Sequence, residues 1–189
     1  MRVWTVQPKA VYTEILKKGV FQCDPAKSVL VAECEFGPAY DWLSVKMTEQ
    51  VGPPPDGIKY PVWARHTMNW EHKRPDMRRC EFRRTIKPYV LIEAEIDDER
   101  VLLSDEENWH FVLNNCYYSA SKTDEALDSE YEWLESLTEE EHIDIKKKYW
   151  ERIFEVSPYD DGFDRHGCYI QTTFWELRKE DIVKVWIYE

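Results

Sequence analysis

The sequence predicts a mixed α/β (α+β) single domain, with a mostly antiparallel or mixed sheet that holds both terminal strands and helices packed around it. Three observations carry this reading. Strand-like apolar runs stand at both ends, RVWTVQ at residues 2–7 and DIVKVWIY at 181–188, and neither can be buried alone. Between them, helix-period apolar stripes alternate with β-branched and aromatic runs. No internal repeat or Gly/Ser linker interrupts the 189 residues, a length suited to one domain.

The elements follow in order. RVWTVQ alternates as a strand. Pro8 suits the first turn of a helix whose apolar stripe is Val11, Tyr12, Ile15 and Leu16, and Gly19 stands where a left-handed cap ends it. VFQC is a second short strand. A second helix runs from Pro38 to Val51, with Ala39, Leu43, Met47 and Val51 recurring every four residues and Trp42 widening the stripe; Gly52 and three prolines stop it. YPVWARH, YVLIEAEI and VLLSD are further strands. Asp105 can cap a helix in EENWHFVLN. The chain is helical from Thr123 to Phe154, where Thr138 and Glu141 have the spacing of a capping box and Ile143, Trp150, Ile153 and Phe154 form the buried side. CYIQTTFW and DIVKVWIY close the sheet across the connector ELRKE.

Composition removes several function classes. Nine Trp and eleven Tyr in a chain that is 43% hydrophobic mark a folded protein. Against 25 bases stand 37 acids, for a net charge of -12, a field that repels polyanions and argues against a duplex-DNA binder. The start lacks a basic segment followed by an apolar run, and no stretch reaches the about eighteen apolar residues of a membrane span. A soluble, cytoplasmic protein without a membrane partner is expected. Cys23, Cys34, Cys80, Cys116 and Cys168 are odd in number, scattered and never in a CxxC pair, so they read as reduced thiols.

The common catalytic signatures are absent: no phosphate-cradling GxxxxGK, GxGxxG, GxSxG or HExxH occurs. His66, His72, Cys80, His110 and Cys116 lack the close pairing of zinc ligands, and YDDGFDRH lacks the pattern of a calcium loop. Three other features stand out. Between Lys73 and Lys87, seven bases meet only Asp76 and Glu81, while Asp124 to Asp144 holds ten acids and no Lys or Arg. The basic loop 73–87 either pairs with that acidic helix or awaits an anionic ligand. Tyr60 and Trp63, with Trp4, Trp175 and Trp186, are either core or stacking platforms on strands. In IQTTFWEL, alternation places Gln171, Thr173 and Trp175 on one face and Thr172, Phe174 and Glu176 on the other. The Glu176 carboxylate is then paired with a base such as Arg178 or Arg74, or open at a cleft.

The motifs RVWTVQ, PAYDWL, VGPPPDGIKYPVWA, KRPDMR, VLLSDEENWHFVLNN, YWERIF and QTTFWEL, taken in order from residue 2 to about 188, resemble the bacterial family catalogued as domain of unknown function 3841. The chain departs from it at Arg65 and Glu106, where the family tends to carry aromatics. The family name implies no reaction. In layout the chain is also distantly similar to the ADP-ribosyltransferase superfamily, whose cofactor is NAD and whose late-strand glutamate stabilises an oxocarbenium-like centre. That resemblance implies that Thr5, Gln7, Tyr60 and Trp63 line the cofactor, with Gln7 and Glu176 as the catalytic pair and Arg74 and Arg78 on the pyrophosphate, and that an acceptor is modified. The first strand lacks the usual His or Arg unless Arg2 serves, and the middle strand lacks a Ser-Thr-Ser triplet. The alternative expectation is a binding module that uses the aromatic groove and basic loop for an acidic protein or single-stranded nucleic acid.

Overall fold

A computed structural model describes residues 1–27, 36–82, 87–160, 162 and 165–189. Cys34, Arg83, Arg84, Asp161 and Asp164, which enter the readings above, lie outside the described residues. Five helices, α1 (Lys9–Lys18), α2 (Gly37–Gln50), α3 (Trp109–Leu113), α4 (Asp124–Glu135) and α5 (Glu139–Trp150), accompany ten strands among the described residues. The strands are β1 (Arg2–Pro8), β2 (Val20–Gln22), β3 (Val62–Met68), β4 (Tyr89–Glu95), β5 (Leu102–Asp105), β6 (Tyr159–Asp160), β7 (Arg165–His166), β8 (Tyr169–Phe174), β9 (Glu176–Arg178) and β10 (Ile182–Tyr188). Among the described residues no helix is long and apolar enough to cross a membrane.

Six strands form one antiparallel sheet in the order β10-β4-β1-β3-β8-β5, so the first and last strands share it. One face carries Val3, Val62, Ala64, Val90, Ile92 and Ala94 against Ile15 of α1. The other packs Leu102 and Trp63 with the aromatic cluster of α2, α3 and α5, in which Tyr40, Trp42, Trp109 and Trp150 interlock edge to face. Such crossings suit the ring quadrupoles and fill the core with large rigid groups.

Local signals act where the sequence places them. Gly19 ends α1 at φ 82°, its N–H donating to Ile15 carbonyl at 2.8 Å. Thr138 and Glu141 form the capping box of α5. Asp105 takes the Asn108 N–H at 2.9 Å, at the start of α3.

Three expectations change. The helical stretch from Thr123 is two helices and a 3-10 turn over Glu151–Phe154. Ile143 and Leu16 are exposed, because α1 and α5 each bury a narrower stripe than their periodicity suggests. The alternation of IQTTFWEL ends at Phe174: Trp175 bends the chain, its indole N–H donating to Gly52 carbonyl at 2.9 Å. ELR is therefore not a plain connector but strand β9, paired with β2 in a separate two-stranded sheet.

Candidate functional site

The centre of the sheet parts between β1 and β3. Seven register pairs join β1 to β4, whereas β1 meets β3 at one, Trp4 opposite Arg65. Beyond that pair the Thr5 hydroxyl donates to the Trp63 carbonyl at 2.8 Å and accepts from the Gln7 amide at 2.8 Å. Side chains replace part of the backbone ladder, and the strands diverge enough to leave an opening on each side of the sheet.

On the α1 side a groove of about 620 Å³ is lined by Gln7, Val11, Phe21, Gln22, Cys23 and Trp63 among others. Burial raises the pKa of the Cys23 thiol, which keeps it protonated. At the rim, Lys18 pairs with Glu14 at 2.7 Å and Lys27 with Asp24 at 2.9 Å. On the opposite side a smaller cavity of about 280 Å³ lies over Trp4, Trp63, Arg65, Glu106 and Gln171, with Phe82 at its wall. Arg65 and Glu106 form an ion pair there.

The structure thus brings Thr5, Gln7 and Trp63 together and separates the other expected residues. Tyr60 is buried in the core, its hydroxyl donating to Asp41 at 2.7 Å and its ring crossing Tyr40. Burial raises the pKa of Tyr60, and it lines neither opening. Arg74 lies over the Trp186 ring at 4.8 Å, and Arg78 clasps Asp76 at 2.7 Å in the same cavity beside Tyr89 and Tyr188. Hydrogen bonds from Arg78 hold the Asp76 carboxyl well below its usual pKa. Elsewhere in the loop Lys73 pairs with Glu71 and Arg79 with Glu81. Two bases of the loop, Arg78 and Arg79, are thus paired with its own carboxylates, Lys73 reaches Glu71 just before it and Lys87 donates to the Glu189 carbonyl, an arrangement hidden at the level of net charge.

Glu176 sits on β9, opposite Gln22 of β2. Its carboxylate accepts from Arg178 Nε at 2.7 Å and from Gln22 Nε2 at 3.2 Å, and its side chain is 17% exposed. Gln22 lines the groove and Glu176 stands behind it. Arg178, raised in pKa by that hydrogen bond, stays charged.

Sequence reasoning missed Gln22, Arg65, Glu106 and Gln171 as site residues. Gln171 carries a legible signal, an amide inside an apolar strand. Arg65 and Glu106 are 41 residues apart, and nothing local predicts their pairing. No curated protein and no solved structure matches the chain. The family model described as Domain of unknown function (DUF3841) matches residues 2–183, and the chain belongs to that family.

Proposed function

We propose that the chain binds a nucleotide of the NAD type in the α1-side groove, with the nicotinamide ring innermost. The observation that carries this reading is the parting of β1 from β3, which sets Gln7 and Trp63 on the wall of a groove of about 620 Å³. Apolar Val11, Phe21 and Val62 suit a flat ring, and the amides of Gln7 and Gln22 suit its carboxamide. The pyrophosphate role expected of Arg74 and Arg78 passes in this reading to Lys18 and Lys27. Their pairs with Glu14 and Asp24 are solvent-exposed and weak, so a phosphate can displace them. Calorimetric titration with NAD, nicotinamide and ADP-ribose tests it. Gln7→Ala and Gln22→Ala should each weaken nicotinamide; absence of binding, or variants that bind as the parent does, would refute the groove.

A second reading, cleavage of the nicotinamide glycosidic bond, draws on the Gln22 to Glu176 hydrogen bond. The C–N bond breaks with its electron pair leaving on nicotinamide, and a carboxylate steadies the ribosyl cation until water or an acceptor adds. Glu176 reaches that position only if Gln22 yields and the side chain turns from Arg178. Free nicotinamide released from NAD, and lost in Glu176→Gln, would establish this step. The alternative of an acidic protein or single strand on the basic loop has less support, because Arg78 and Arg79 each meet a carboxylate of the loop and Lys73 meets Glu71 beside it.

A further inference from the structure

One row of side chains crosses the whole sheet on the face away from α1. Lys184, Glu93, Trp4, Arg65, Gln171 and Ser104 stand in register, one from each of the six strands. Its β8–β5 end is unusual for a packed sheet face: Ser104 is 0% and Gln171 7% exposed. Buried amides carry a cost of about 1–3 kcal/mol where their polar atoms lack partners. The Gln171 amide nitrogen donates to Ser104 Oγ at 3.2 Å, while its oxygen has no hydrogen bond among the described residues and the residue lines the cavity of about 280 Å³.

Arg65 and Glu106 line the same cavity and are 26% and 28% exposed. Their contact uses Nη1 of the guanidinium and one carboxylate oxygen. Arg65 Nε and Nη2 and the second oxygen of Glu106 remain without hydrogen bonds among the described residues. The cavity therefore presents a fork of donors beside a carboxylate acceptor, with the Gln171 amide oxygen at its floor and the Phe82 and Trp63 rings at its walls. Arg65 neutralises Glu106, and Glu81, which also lines the cavity, is paired with Arg79 at 3.1 Å, so hydrogen-bond pattern rather than charge selects the ligand.

We infer that this cavity, on the opposite face of the sheet from the groove and sharing Gln7 and Trp63 with it, is a second binding site for a guanine-type ring. The matching ligand is planar and carries two acceptors on one edge and two donors on the adjacent one. Guanine has that pattern: O6 and N7 accept from an arginine fork, while N1–H and the exocyclic amine donate to a carboxylate. Adenine places an amine donor where guanine has O6, and would set it against the guanidinium. Pyrimidines lack N7.

The test is titration of the full chain with guanosine, inosine and adenosine, followed by calorimetry and by the fluorescence of Trp4 and Trp63. Guanosine should bind saturably and at least about 10-fold more tightly than adenosine, with inosine between them. Arg65→Lys keeps the charge but loses the fork, and Glu106→Gln keeps the shape but loses an acceptor. Each should weaken guanosine about 10-fold with the melting transition kept cooperative. Glu106→Gln, at a partly exposed position, preserves the test if Arg65→Lys does not fold. Equal affinity for guanosine and adenosine, no saturable binding by the parent, or parent-like affinity in Glu106→Gln would overturn the assignment.

Discussion

Asp105→Ala should cost the protein a large part of its stability. Asp105 is 0% exposed, and its two oxygens each accept one backbone N–H, from Asn108 at 2.9 Å and from Gly167 at 2.9 Å. Alanine leaves both donors buried and unpaired, at about 1–3 kcal/mol each. The sum, about 2–6 kcal/mol, is large against the roughly 5–15 kcal/mol that holds a domain folded. Asp105→Asn keeps one oxygen and turns an NH₂ toward the other donor, so it should cost about half as much. Urea unfolding of the three proteins decides the matter, read at the midpoint with the slope required to stay constant. An alanine variant within about 1 kcal/mol of the parent would show that the two bonds are replaceable, and the reasoning would fail. An Asn variant as weak as the Ala variant would locate the effect in the charge. The residue also bears on the second cavity: the next N–H, of Glu106, donates to the Tyr169 carbonyl at 2.8 Å. Loosening this corner should therefore weaken guanosine binding along with the fold.

Gly167→Ala should destabilise by at least about 3 kcal/mol, combining left-handed strain of about 1–2 kcal/mol with a clash. Gly167 has φ 79° and an added Cβ would meet Val156 carbonyl at 2.6 Å; a thermal midpoint within a degree or two of the parent's contradicts this. His66, stacked on His72 with 4.0 Å between ring centroids, is held at a pKa of about 4 by burial and then by the His72 charge. Since this folded value lies below the unfolded value of about 6.5, the unfolded chain takes up the proton first. The neutral ring's contribution is complete above about pH 6.5, declines as pH falls toward 4 and levels off below that. For a half-buried ring it amounts to about 1–2 kcal/mol after solvent screening. His66→Gln should flatten that slope in urea midpoints measured across the window, and an unchanged slope assigns it to other groups. Glu176→Gln should lower stability by less than about 1 kcal/mol, because its partner Arg178 is 44% exposed. Loss of a cooperative melt would mean that the β2/β9 pair depends on this carboxylate far more than its exposure allows.

What the sequence alone determined is what short-range chemistry determines. Both terminal runs read as strands because alternation of side chains is a local property, and burying such runs requires neighbours in a sheet. Gly19 and Thr138 act as the caps their types and spacings announce, since a cap bonds within about four residues, whereas Asp105 ends β5 and takes the N–H of Asn108, the residue that caps α3. The resemblance in layout grouped Thr5, Gln7, Tyr60 and Trp63; Thr5, Gln7 and Trp63 lie together, and Tyr60 is in the core. Tertiary structure alone decided the rest. Glu176 left the sheet that holds Phe174: the chain bends at Trp175, whose indole N–H donates to the carbonyl of Gly52, and β9 pairs with β2 instead, so a bend at one residue cancels the argument from alternation. Arg78 and Arg79 of the basic loop found partners inside it, and Lys73 one just before it, because ion pairing depends on distances of a few ångströms that a count of charges cannot carry. The row from Lys184 to Ser104 was invisible for the same reason: its members come from six separate strands, and only the register of the assembled sheet lines them up.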